Sequence, residues 1–142
     1  MSAAALQFPF IVRDPALGAA SLAPMMLITL RGAQAPPQSL TVSGLLDTGA
    51  AVNVLPHRIG TQLGFNWDQQ TPSVQLSGNL ASVEARVVLL TATVGSFPPV
   101  RMAFAWTKSD AVPVILGQVN FFLEFDVCFF RSRAMFEVRP KS

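Results

Sequence analysis

The segment Leu45-Leu46-Asp47-Thr48-Gly49-Ala50 constrains this chain more than any other, because an apolar run ends abruptly in an acidic turn. A carboxylate at the end of a buried strand is costly unless something pairs with it or uses it. Gly49 follows two positions later, where a side chain would block the approach of a second backbone. A second apolar run ending in glycine, Val114-Ile115-Leu116-Gly117, lies far downstream, and the chain holds a single acidic turn of this kind.

The 142 residues suffice for one domain with a real core and are too few for two. Hydrophobic residues make up 51% and charged ones 13%, which is apolar for a monomer of this size and points to surface buried against a partner. Eleven prolines and nine glycines along the chain favour short strands and many turns over long helices. The net charge of +2 is small. Arg131, Arg133, Arg139 and Lys141 alternate with apolar residues, as on a solvated strand face, so no nucleic-acid partner is expected. Cys128 is the only cysteine and sits in the apolar run Val127-Cys128-Phe129-Phe130, where it reads as a buried structural thiol without a disulfide. No His/Cys cluster suits a metal and no glycine-rich loop suits a phosphate, so no cofactor is expected. The apolar start, Ala3 to Leu6, has no basic residue before Arg13 and is not read as a signal peptide. No window is long enough for a membrane helix, and a cytoplasmic location is the default.

The pattern along the chain is nearly all β, with one or two short helices. Phe8 to Val12 is β-prone and ends at Asp14-Pro15. Residues 1–23 read as an N-terminal arm or edge strand and 24–142 as the domain. Met25 to Arg31 and Ser39 to Leu46 read as strands flanking a loop at Pro36-Pro37. Val52 to Leu55 is extended, Pro56 opens a helix running to Leu63, and Gly64 closes it. Val74 to Leu76 and Val83 to Val94 form a hairpin around Ser77-Gly78-Asn79. Val100 to Trp106 has the alternation of a half-buried strand. Val112 to Leu116 makes a short strand and Gln118 to Leu123 a short helix. Val127 to Phe130 and Met135 to Val138 close the chain as a hairpin.

These features together resemble the retropepsin family, the single-lobe aspartic proteases of retroviruses and their bacterial and eukaryotic relatives. Asp47-Thr48-Gly49-Ala50, with two apolar residues before it and Val54-Leu55-Pro56 after it, is similar to that family's active-site strand and turn. Leu63-Gly64-Phe65 resembles the step after the helix in cellular members. The hairpin at Ser77, Gly78 and Asn79 lies where the family carries its substrate-covering flap. Ile115-Leu116-Gly117 resembles the paired apolar-glycine element that supports the active-site loop, and Asn120 and Phe121-Phe122 continue as the family's C-terminal helix does. Retroviral members often carry a second acid after the turn and an arginine after the late glycine, whereas Ala51 and Gln118 stand here. Neither replacement leaves a charge unpaired.

The resemblance implies a closed β-barrel or sandwich lobe acting as a homodimer, with Asp47 as the catalytic residue. Its chemistry needs two carboxylates sharing one proton, because like charges a few ångströms apart do not both ionise. One acts as general base on a water held between them, while the other polarises the scissile carbonyl and protonates the leaving amine. The chain supplies one such acid, so the second comes from Asp47 of another copy across a two-fold axis. Thr48 holds the turn, Gly49 leaves its carbonyl open to an extended peptide or protein substrate, and Gly78 lets the flap bend. Two rival readings remain. One is a peptide-binding or assembly module of the same fold without cleavage. The other is an unrelated small β-barrel in which Asp47 only closes a turn. His57 reads as an exposed helix residue, Trp67 and Trp106 as core or interface, and Asp68, Asp110, Glu124 and Asp126 as solvated acids.

Overall fold

The computed structural model describes residues 4–70 and 84–142. The strands are β1 (Leu6–Pro9), β2 (Ile11–Val12), β3 (Leu22–Ala23), β4 (Met25–Arg31), β5 (Ser39–Leu46), β6 (Val54–Leu55), β7 (Ala85–Thr93), β8 (Val100–Thr107), β9 (Val114–Leu116), β10 (Phe125–Phe130) and β11 (Met135–Pro140). Two short helices, α1 (His57–Gln62) and α2 (Phe121–Glu124), join them.

Six strands close a barrel in the order β4-β5-β9-β6-β8-β7. Its wall follows from side-chain alternation. On β4, Met26, Ile28 and Leu30 are buried while Leu27 and Arg31 face out. β8 alternates at first, burying Met102 and Phe104, and is then buried on both faces from Ala105 to Thr107. The change comes where β6 runs parallel alongside, pairing Val54 with Ala105 and Leu55 with Trp106. α1 lies over this end, and Trp106 Nε1 donates to the His57 carbonyl at 3.0 Å. Pro56 stands at the helix N-terminus in an extended conformation, and Gly64 ends the turn with φ +89°, a left-handed geometry natural to glycine.

Outside the barrel, β1, β11 and β10 form an antiparallel sheet. Its inward row includes Leu6 and Val127 on either side of Val138, and Phe8 opposite Phe136. Phe136 is fully buried, stacks on Phe8 at 5.3 Å and meets Phe10 edge-on at 5.9 Å. β2 and β3 pair as a separate two-stranded ribbon.

Three expectations change. Cys128 is exposed, not buried, because Phe125 and Val127 lie on the inward row and a period of two turns the thiol outward opposite Glu137. His57 is half-buried, its ring stacked on Trp106 at 5.5 Å and 8°, since α1 lies over the indole. The last helix starts at Phe121 rather than Gln118, because the Gln118 and Val119 amides bond to the Ala50 and Ala51 carbonyls. The strand expected over Val74 to Leu76 lies outside the described residues.

Phe136→Ala should remove about 3–5 kcal/mol of stability, read from denaturant unfolding. Cys128 in the folded protein should react stoichiometrically with an aromatic disulfide reagent, as a solvent-facing thiol does.

Candidate active site

Asp47 is the first residue beyond β5, and the strand holds it from two sides. Leu46 N donates to the Pro24 carbonyl at 3.0 Å, and Asp47 N donates to the Leu116 carbonyl at 3.0 Å. The turn then closes on itself. Asp47 Oδ1 accepts from Gly49 N at 2.9 Å, and the Asp47 carbonyl accepts from Ala50 N at 3.1 Å. This is the local side-chain-to-backbone geometry that favours aspartate at turns. Leu46 is buried, Asp47 is half-buried, and Thr48 and Gly49 are exposed, so the carboxyl sits at the rim of the barrel. Oδ2 has no hydrogen-bond partner among the described residues.

The downstream glycine element lies alongside this turn. β9 runs parallel to β5, pairing Gly44 with Val114, Leu45 with Ile115 and Leu46 with Leu116. Past the strand the two stretches continue to bond: Gln118 N to the Ala50 carbonyl at 2.9 Å, Val119 N to the Ala51 carbonyl at 3.0 Å, and Asn53 N to the Val119 carbonyl at 2.8 Å. Gly117 has no room for a side chain, since a Cβ there would stand 2.5 Å from the Val52 carbonyl oxygen and 2.8 Å from that of Ala50. Gln118 Nε2 donates to the Thr48 carbonyl at 2.8 Å, so a neutral amide braces the turn from outside.

Asn53, not anticipated from the sequence, is a second brace. It is fully buried. Its Oδ1 accepts from Gly117 N at 2.8 Å, and its Nδ2 donates to the Ala103 carbonyl at 3.1 Å and reaches Asn120 Oδ1 at 3.5 Å. Asn120 Oδ1 also accepts from Ala103 N at 3.0 Å. Buried amides of this kind are retained when all their bonds are made. The signal in the sequence was an amide flanked by Val52 and Val54 in an otherwise apolar run.

Thus Asp47, Thr48, Gly49 and Ala50 form one turn, and Ile115, Leu116 and Gly117 stand beside it. Ser77, Gly78 and Asn79 lie outside the described residues. Asp110 is not merely solvated: it accepts from Arg58 N at 2.7 Å. Glu124 pairs with Lys141 at 3.0 Å. Asp126 is exposed on β10, opposite Arg139 rather than on a turn. Among the described residues no group of three or more His, Cys, Asp or Glu side chains is placed to hold a metal.

The family model for aspartyl proteases matches residues 29–119, from β4 through the Gly117 element. The chain belongs to the aspartyl protease family. Its fold is that of the retropepsin-like members. A retropepsin-like aspartic protease from Rickettsia conorii superposes with a TM-score of 0.59 at 14% identity, covering 99% of this chain and 97% of that one. The EIAV protease, solved with an inhibitor, superposes with a TM-score of 0.53 at 19% identity, covering 68% of this chain and 82% of that one. No curated protein sequence gives a match. In this retropepsin-like frame, a closed six-stranded barrel presents a single acidic turn at its rim.

Asn53→Ala should cost about 1–3 kcal/mol by leaving the Gly117 amide unsatisfied in the interior, measured by chemical denaturation. Gly117→Ala should cost at least about 1–3 kcal/mol by forcing the two bonded stretches apart. A Gly49→Ala variant is the comparison, because a Cβ there meets only the Asp47 carboxylate, at 3.3 Å.

Proposed function

We propose that this protein is an aspartic endopeptidase that works as a homodimer, with Asp47 of each copy supplying one of two catalytic carboxyls. The observation that carries this reading is Asp47 itself. It is held by backbone bonds at the rim of the barrel, with one carboxylate oxygen engaged by the turn and Oδ2 unpartnered among the described residues. A residue that only closed a turn would not need the additional bracing from Gln118, Gly117 and Asn53.

In the dimer, the two carboxyls share a proton and hold the attacking water between them. The ionised group draws a proton from the water, and the protonated group polarises the peptide carbonyl. The second then transfers its proton to the leaving nitrogen. Rigid positioning of the turn supports this chemistry, because small displacements of reacting groups are costly in rate. The substrate is a peptide in extended form, bound by main-chain hydrogen bonds as an added strand.

Asp47→Asn should fold and associate as the wild type does, while cleavage of a peptide library across the acidic range falls by about 10²–10⁴-fold or more. Wild-type cleavage by the variant would overturn the mechanism. Peptide binding without products from the wild-type protein would instead favour a non-cleaving assembly module.

A further inference from the structure

The ribbon formed by β2 and β3 is fixed at both ends and yet presents apolar side chains to solvent. At one end, Phe10 N donates to the Ala134 carbonyl at 2.8 Å, just before β2 begins. At the other, the ladder between β4 and β5 runs from Arg31 opposite Ser39 to Met25 opposite Leu45, and the bond from Leu46 N to the Pro24 carbonyl extends it by one position. The next residues on the two strands are Ala23, which belongs to β3, and Asp47. Ala23 pairs in turn with Ile11, and Leu22 with Val12. The ribbon is therefore anchored directly beside the acidic turn.

Every residue from Ile11 to Leu17 is exposed. Ile11 is 46%, Val12 42% and Leu17 61% accessible. The Val119–Leu123 segment is bonded to the turn through Ala51 and Asn53, and it exposes Val119 at 49% and Leu123 at 61%. Of the eight exposed large hydrophobic residues among the described residues, these five lie on the two segments bonded next to the Asp47 turn. Singly scattered apolar side chains need no explanation, but a concentration beside one feature does.

We propose that the Ile11–Ala23 ribbon and the Val119–Leu123 segment form the self-complementary interface with a second copy of this chain. The proposal rests on the homodimeric reading above and names its surface. If two Asp47 carboxyls share a proton, the two-fold axis passes within a few ångströms of each, and whatever flanks the turn meets the partner. An isologous contact brings each surface of one copy against the other copy. In the β1-β11-β10 sheet both β1 and β10 find a strand partner, β11, within their own chain. The exposed aliphatic residues beside the turn supply the apolar centre that a stable interface needs.

The test compares sedimentation of the wild type with three variants at matched concentrations. Val12→Lys with Leu17→Glu disrupts the ribbon, and Val119→Lys with Leu123→Glu disrupts the other flank. Leu27→Glu, on an exposed outward position of β4, is the control. The wild type should sediment as a dimer. Each double variant should raise the dimer dissociation constant by about 100-fold or more, with an unchanged far-ultraviolet spectrum, while Leu27→Glu leaves it unaltered. A dimeric wild type whose folded double variants dissociate no more readily would overturn this surface and leave the two-carboxyl reading intact. A wild type that stays monomeric and still cleaves peptides would overturn both.

Discussion

The bonded seam between Ala50–Asn53 and Gly117–Val119 is the constraint on which the acidic turn depends. It consists almost wholly of backbone hydrogen bonds, and it closes only because Gly117 carries no side chain. Asn53 fastens the seam to the barrel. One carboxamide satisfies the Gly117 amide and the Ala103 carbonyl in an interior where an unmade bond would be expensive. Asp47 is thereby anchored at its amide by Leu116, far away in sequence, while the neighbouring Gly49 amide orients its carboxylate. Its position is a joint property of the barrel and of the turn.

The same arrangement shows why this chain manages without the charges that viral relatives often carry beside the turn. An arginine and a second acid form a pair that must be desolvated together, and removing either leaves the other costly. Here Ala51 and Gln118 occupy those places, and Gln118 makes a neutral hydrogen bond to the Thr48 carbonyl. A neutral brace carries a smaller desolvation penalty and is insensitive to ionic strength.

Much of the barrel was legible because its strands follow simple alternation. β4 and β5 fell where the apolar spacing placed them, and Gly64 closed α1 through its left-handed backbone. The acidic turn and the late glycine element were visible as apolar runs ending in special residues. Long-range pairing was not visible. Nothing local to Leu6–Pro9 says that it adds to β11, and nothing local to Gln118 says that its amide is taken by Ala50 instead of a helix. Cys128 misled because a run of apolar residues hides which of them faces inward until the partner strand fixes the register. Asn53 was overlooked because its value lies in three bonds to residues from the far half of the chain.

The parallel pairing of β5 with β9 joins segments about seventy residues apart, as Leu46 opposite Leu116 shows. Bringing such distant segments together incurs loop-closure entropy before any contact repays it, a larger cost than the local hairpins face. During synthesis the Asp47 strand leaves the ribosome well before the residues that hold it in place. A nascent chain therefore carries the acid without the geometry, and any hydrolytic capacity is withheld until the distal half has arrived.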